Sequence, residues 1–175
     1  MSNYPDYAYD VALSGDLAFM ADYNSGVRVI NVANPAAPYE IGFYDTPGHA
    51  YGVSVSGNYA YVADYGSGLR VIDISTPTAP IEVSFFDTPG NSTGVTINGN
   101  YAYVGDGLAG VRIIDITDPS SPIDAGNYDT PGASNGVFVS EGYTYVADLA
   151  GGMMILRFTE VLQLQKFFLP LTQRN

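Results

Sequence analysis

Short runs of alternating apolar and polar residues, separated by turn residues, cover most of the chain. In the clearest stretch the runs occupy residues 52–56, 59–63, 69–74 and 81–86. Alternation over five or six residues is typical of β-strands, and the Gly-Asn, Asp-rich and two-proline segments between the runs are typical of turns and loops. Because proline cannot donate to a strand ladder, the two-proline loop at 75–80 separates the last two runs. This stretch therefore predicts four short strands joined by tight turns.

The four-strand pattern recurs along the chain with a fixed period. The tetrapeptide Asp-Thr-Pro-Gly begins at Asp45, Asp87 and Asp129, so the period is 42 residues, and other positions give a fourth copy. Four strands per repeat of this length are typical of one propeller blade. The third strand is apolar at consecutive positions, as in Val71-Ile72, so both of its faces must be buried between neighbouring blades. The sequence predicts an all-β fold, a β-propeller of four 42-residue, four-stranded blades; a solenoid of stacked sheets is the alternative.

The repeats divide the chain into a propeller at residues 1–158 and a C-terminal arm at 159–175. Four blades in one chain favour a small ring, and half of an eight-bladed dimeric ring is the alternative. The segment 161–168 alternates and is able to supply the missing fourth strand, either to its own blade or to another subunit by strand addition. The apolar residues predicted to mediate homo-oligomer or polymer formation are Val161, Leu162, Leu164, Phe167, Phe168, Leu169 and Leu171.

Charge and composition exclude several functions. The chain has 18 acidic and 6 basic residues, a net charge of −12, so nucleic acid is not an expected partner. It has no cysteine, which excludes disulfides, thiol nucleophiles and zinc–thiolate sites. The longest apolar stretch, 161–171, is interrupted by polar residues and predicts no membrane span. The first residues as printed lack the basic and apolar segments of a signal peptide. Because the acids concentrate in 1–158, the weakly basic arm is suited to docking on an acidic body.

Aspartates recur in the loops between the second and third strands, at Asp22, Asp64, Asp106 and Asp148. Turn capping explains them, since Asp side chains accept backbone N–H bonds. The functional alternative is a metal site, a rim that binds calcium through carboxylates and carbonyls. In the Asp-Thr-Pro-Gly segments, the Pro and Gly residues suit the two central positions of a type II turn, so these segments are predicted to be turns.

Other repeated side chains are expected to be structural. Arg28, Arg70 and Arg112 lie three residues before Asn31, Asp73 and Asp115, and positions three apart face opposite sides of a strand. The Arg of one blade is therefore predicted to pair with the Asp of the next.

Most aromatic residues are expected in the core between blades. Rim tyrosines such as Tyr23, Tyr51 and Tyr65 are the exception, and are candidates for stacking on sugar rings. His49 is the single histidine and is expected on a solvated loop.

The repeats resemble a known family. Gly-Leu-Arg-Val-Ile-Asp-Ile-Ser at 68–75 and Gly-Val-Arg-Ile-Ile-Asp-Ile-Thr at 110–117, each preceded by Tyr-Ala-Tyr-Val and followed by the two-proline loop, are similar to the LVIVD-repeat family of bacterial and archaeal propellers. The resemblance implies a propeller and an extracellular or surface location, and supplies no catalytic motif.

We therefore expect a non-enzymatic, exported propeller with no required cofactor. The expected role is that of a structural, self-assembling subunit of an extracellular or surface layer, tube or filament. A module that binds a cation, glycan or peptide on the acidic rim is the alternative, and calcium is the cofactor that it would take.

Overall fold

The computed structural model describes residues 7–157 and the backbone pairing of residues 165–166. These residues form four antiparallel sheets, each with its strands in chain order. The first sheet comprises β1 (Asp10–Ser14), β2 (Leu17–Ala21), β3 (Val27–Asn31) and β4 (Tyr39–Tyr44). The second comprises β5 (Gly52–Ser56), β6 (Tyr59–Ala63), β7 (Leu69–Asp73) and β8 (Ile81–Phe86). The third comprises β9 (Gly94–Asn98), β10 (Tyr101–Gly105), β11 (Val111–Asp115) and β12 (Ile123–Tyr128). The fourth comprises β13 (Ser134–Ser140), β14 (Tyr143–Asp148), β15 (Gly152–Arg157) and β16 (Gln165–Lys166).

The sheets are the four blades that the repeat predicts, and the all-β propeller of four four-stranded blades is confirmed. The same register recurs in each blade, with Tyr59 opposite Asp73 in the second blade and Tyr101 opposite Asp115 in the third. The described residues contain no helix long and apolar enough to cross a membrane.

A β-bulge recurs between the third and fourth strands of the first three blades. In the second blade Val71 pairs with Ser84 and Ile72 pairs with Glu82, so Val83 is the extra residue. The shift brings Glu82 and Phe85, which are three residues apart, to the same face of the strand.

The core consists of three apolar layers, each between two neighbouring blades. The layer between the first and second blades contains Phe19, Val29 and Ile72. Equivalent layers follow between the second and third blades and between the third and fourth. Val71 and Ile72 are both fully buried although they point to opposite faces, which confirms that the third strand lies between two other blades.

The four blades form an open arc, whereas the sequence favours a closed ring of four. The first strands of the blades pack in chain order, β1 on β5, β5 on β9 and β9 on β13. Within residues 7–157, β13 and β14 make no comparable contact with β1, and no fourth apolar layer forms. Residues 7–157 therefore leave the outer faces of the first and fourth blades uncovered.

Candidate functional site

Three of the loop aspartates anchor the chain segment that leads into their own blade. Asp64 is fully buried; its Oδ1 accepts a hydrogen bond from Thr46 Oγ1 at 2.6 Å and its Oδ2 accepts one from the Gly48 amide at 2.8 Å. Burial raises the pKa of Asp64 although these bonds oppose the rise. The same pair of bonds recurs from Thr88 and Gly90 to Asp106 and from Thr130 and Gly132 to Asp148. Each carboxylate thus holds the Asp-Thr-Pro-Gly segment that leads into its blade.

The glycine of Asp-Thr-Pro-Gly lets its backbone lie close to the loop aspartate of the same blade, a role that the type II turn prediction missed. Gly48 has no positive φ, but a Cβ there would collide with the Asp64 carbonyl oxygen. Among residues 7–157 no three acidic or histidine side chains come together as a metal site would need. The calcium site at Asp22, Asp64, Asp106 and Asp148 stays a prediction.

The predicted pairing of arginines between blades is wrong. Arg70 Nη1 lies 3.2 Å from Glu82 Oε1 of the same blade, and the guanidinium lies 4.6 Å from the centre of the Phe85 ring. Arg28 pairs with Glu40 and Arg112 with Asp124 in the same way. The physical reason is the β-bulge, which turns the acidic side chain of the fourth strand towards the arginine.

The aspartates assigned to those pairs have local roles instead. Asp73 accepts the Ser75 amide at 2.7 Å and Asp115 accepts the Thr117 amide at 2.8 Å. These bonds hold the pKa of both aspartates below its ordinary value.

Six aromatic side chains form a continuous cluster on the rim where the first two blades meet. We call it the aromatic rim; it contains Tyr7, Tyr9, Tyr23, His49, Tyr51 and Tyr65. His49 stacks on Tyr23 with ring centres 4.3 Å apart and planes 12° apart, so it is half-buried in the cluster instead of lying on a solvated loop. Its Nδ1 is buried without a hydrogen-bond partner. Tyr51 meets Tyr9 at 4.5 Å and Tyr65 at 5.3 Å.

The fold does not need these aromatic residues. They occupy three positions of the repeat, and the third and fourth blades carry Asn91, Thr93, Gly107 and Ala133, Asn135, Leu149 there. The two halves of the chain thus share one backbone pattern, and the cluster belongs to the first half alone.

Two tyrosines of the rim have a strained backbone. Tyr23 and Tyr65 have φ of 39° and 53°, and Gly107 adopts φ of 55° at the same repeat position. The conformation lets Tyr23 exchange two backbone hydrogen bonds with Ala50 across the blade junction. A bulky residue in the left-handed region costs about 1–3 kcal/mol, and glycine avoids that cost. At these two positions the tyrosines therefore carry a backbone cost that glycine would avoid.

The outer face of the fourth blade presents four large side chains, three of them at positions that are buried in every other blade. We call it the fourth-blade face; it contains Phe138, Tyr145, Met153 and Ile155. Met153 is 60 % exposed, while Val27, Leu69 and Val111 at the same repeat position are 0 % exposed. A shallow, largely apolar groove of about 640 Å³ runs across this face.

The outer face of the first blade is the complementary surface. We call it the first-blade face; it contains Val11, Leu13, Met20 and Ile30. Val11 is 58 % exposed, whereas Val53 and Val95 at the same position are 4 % and 7 % exposed because the preceding blade covers them. By repeat position, the two faces correspond to the two sides of an interface between blades.

The predicted assembly residues of the arm, Val161, Leu162, Leu164, Phe167, Phe168, Leu169 and Leu171, lie outside the described residues. Gln165 and Lys166 are described, and they pair with Arg157 and Leu156 of their own blade. The faces that the structure does describe were not singled out from the sequence. Their signal was the repeat itself, since Met153 and Ile155 keep the apolar character of buried positions although the described residues form no further blade beyond them.

Sequence comparison identifies the repeat. The family model of the LVIVD repeat matches residues 5–46, 47–88, 89–130 and 131–156. The chain belongs to the LVIVD-repeat family. Among curated proteins none matches the chain.

Two designed proteins are among the solved structures with a similar fold. The computationally designed Ika8 protein superposes with a TM-score of 0.71 at 11 % identity over 89 % of this LVIVD-repeat chain. The chain spans 47 % of Ika8, about half of its length. The computationally designed Ika4 protein superposes with a TM-score of 0.70 at 10 % identity, covering 91 % of this chain and 96 % of that one. At these identities the likeness shows the fold alone.

Proposed function

We propose that this chain is a non-enzymatic structural subunit that assembles with copies of itself head to tail, the fourth-blade face of one copy docking on the first-blade face of the next. The observation that carries the proposal is the exposure of Met153 at a position that is fully buried in the other three blades. A role in an extracellular or surface layer, tube or filament is part of the proposal and rests on the family resemblance.

The internal interfaces of the chain support a second copy as the occupant. Between the third and fourth blades, Val111 and Ile113 pack with Val146 and Leu156 in one apolar layer. At the next step along the repeat, Met153 and Ile155 would meet Met20 and Ile30 of a second copy. Each large apolar side chain that becomes fully buried contributes about 1.5–3 kcal/mol.

A glycine supplies independent support for the same partner. A Cβ on Gly94 would touch the backbone of Asn135 and Gly136 in the following blade. Gly136 is the equivalent residue of the fourth blade, and a Cβ there would meet only Ala147 Cβ of its own blade, at 3.7 Å. A glycine at this position suits the close approach of another first strand, and β1 of a second copy has that backbone.

Two forms of assembly follow from this contact. Two arcs joined at both ends make a closed ring of eight blades and leave no apolar end face exposed. If the rotation does not close, the same heterologous contact repeats into a filament or tube.

The test compares one substitution on the interface with one outside it. Met153→Asp places a charge in the centre of the fourth-blade face. Leu108→Asp makes the same charge change at an apolar residue that is 86 % exposed and lies on a loop of the third blade. Sedimentation velocity gives the stoichiometry of the full chain and both variants, and electron microscopy distinguishes rings from filaments.

We expect assembly by the native chain and by Leu108→Asp, and monomers for Met153→Asp with unchanged circular dichroism. A native chain that stays monomeric at high micromolar concentration would overturn the proposal. Equal loss of assembly in both variants would do the same, because it would point to charge repulsion without a specific face.

A further inference from the structure

We propose that the aromatic rim of the first two blades is a binding site for organic cations of the quaternary ammonium type. None of its six aromatic residues belongs to either end face. It consists of the six rim aromatics, beside the mouth of a groove of about 510 Å³ that Tyr9, Asp10 and Tyr51 help to line.

The cluster is present without a structural need. The third blade closes the same junction with Asn91, Thr93 and Gly107, and Gly107 exchanges the same pair of backbone hydrogen bonds with Ser134 that Tyr23 exchanges with Ala50. Tyr65 does so with Ser92 although its backbone is in the left-handed region. A strained residue that the neighbouring repeat replaces with glycine points to a role of its side chain.

The geometry of the rings suits a rounded cation. Tyr23 stands at 89° to Tyr51 and at 83° to Tyr7, so the cluster presents ring faces in several directions. Tyr7 and Tyr9 remain 70 % and 52 % exposed, which leaves aromatic surface free for a ligand. A cation over an aromatic face is attracted by the ring quadrupole, and quaternary ammonium groups are recognised in this way.

The electrostatics of the chain favour a positive ligand. The net charge is −12, and the exposed Asp10 lies next to Tyr9 in the wall of the groove. An anionic ligand would meet repulsion, and a neutral ligand would gain nothing from the charge.

The experiment uses choline as the probe and 3,3-dimethylbutan-1-ol as its uncharged counterpart of the same shape. The full chain is titrated with each compound, and binding is followed by tyrosine fluorescence and by proton chemical shifts of the aromatic rings. Tyr65→Gly and Tyr23→Gly remove a ring and give the position the residue that the third blade carries. Tyr39→Ala removes a tyrosine that is 60 % exposed at the outer edge of the first blade, outside the cluster, and serves as the control.

We expect saturable binding of choline, roughly tenfold weaker binding of the alcohol, and a loss of roughly tenfold in affinity for either glycine variant. Tyr39→Ala should bind like the native chain. Equal affinity for choline and the alcohol would overturn the proposal, because it would show a merely apolar surface. Saturable binding of methyl glucoside without binding of choline would overturn the proposal and indicate a sugar site. Choline binding that is unchanged in both glycine variants would also overturn it, because it would place the cation site elsewhere.

The folding of both rim variants is checked separately, so that a loss of choline binding is not confused with a loss of structure. Thermal unfolding followed by circular dichroism should show both variants folded at the temperature of the titration. Because assembly uses different faces, sedimentation velocity should be unchanged in Tyr65→Gly. A choline result that fails while assembly persists would therefore reject the cation site alone.

Discussion

Gly94 and Gly136 occupy the same position of the repeat, and only Gly94 has the backbone of the following blade against its α-carbon. The absence of a side chain at Gly94 is thus explained within the chain. Residues 7–157 provide no such neighbour at Gly136, and the proposed docking would supply one. This difference makes the two glycines a direct probe of the proposed interface.

Gly94→Ala and Gly136→Ala should therefore have opposite effects on the free energy of unfolding. At Gly94 the added methyl meets the Asn135 carbonyl oxygen, and overpacking of this kind costs about 1–3 kcal/mol. At Gly136 the methyl meets only Ala147 Cβ at 3.7 Å, so the loss of backbone freedom in the unfolded chain should stabilise the monomer by about 0.4–1 kcal/mol.

Urea unfolding of dilute monomers measures both values, and sedimentation velocity at high concentration measures assembly. Gly136→Ala should weaken assembly while it leaves the monomer intact. An unaffected assembly would mean that no backbone approaches Gly136, which would contradict head-to-tail docking.

Leu69 and Met153 give a second comparison at one repeat position. Leu69 is fully buried between the second and third blades, and Leu69→Ala should cost about 2–5 kcal/mol through lost burial and a residual cavity. Met153 is 60 % exposed, and Met153→Ala should change the stability of the monomer by less than about 0.5 kcal/mol. Chemical unfolding below the assembly concentration measures both. A large loss for Met153→Ala in the monomer would show that the fourth-blade face is covered within the chain.

The dependence of stability on pH should carry opposite contributions from Asp64 and Asp115. Burial raises the pKa of Asp64 in the folded chain above its ordinary 3.8, so the native state binds more protons than the unfolded state in the interval above that value. Stability contributed by protonated Asp64 is then lost as pH rises through this interval. The Thr117 hydrogen bonds lower the pKa of Asp115, so its contribution is present above the ordinary value and is lost as pH falls through the lowered value.

Substitution of each aspartate separates its contribution to the pH dependence of stability from that of the other. Over a pH range that extends to both sides of the ordinary value of 3.8, Asp64→Asn should flatten the decrease of stability above that value, although the mean stability also falls because one of the two hydrogen bonds to the carboxylate is lost. Asp115→Asn should leave that decrease in place and remove an increase at lower pH. Urea midpoints measured across this range give both slopes, and an unchanged slope in Asp64→Asn would mean that its carboxyl is not desolvated as described.

The repeat explains why the blades could be predicted and why the arginine partners could not. A period of 42 residues places each strand, and consecutive apolar residues such as Val71 and Ile72 require neighbours on both sides. Alternation alone puts Glu82 and Phe85 on opposite faces of β8. The bulge at Val83 reverses that relation, and a bulge of one residue leaves no mark on the hydrophobic pattern.

The candidate sites were predictable to different extents for similar reasons. Tyr23, Tyr51 and Tyr65 could be placed at the rim, because the turn residues around them locate the blade junctions. The strain at Tyr23 and Tyr65 depends on backbone bonds to Ala50 and Ser92 across the junction, which no local pattern reveals. The end faces depend on the arc staying open, which is set by the angle between blades and not by the residues of any one strand.

Deletion of residues 160–175 distinguishes the arm from the end faces as the carrier of assembly. The described part of this segment, Gln165–Lys166, forms an outer strand beside β15, away from the first-strand contacts that join the blades. We therefore expect the deleted chain to keep its folded blades, with a modest loss of stability at the exposed edge of β15, and to assemble with the stoichiometry of the full chain. Sedimentation velocity and circular dichroism of the deleted chain, beside Met153→Asp in the full chain, make the measurement. If the deleted chain is monomeric while Met153→Asp still assembles, assembly depends on the arm, as strand addition between subunits requires. That result would refute the docking of end faces.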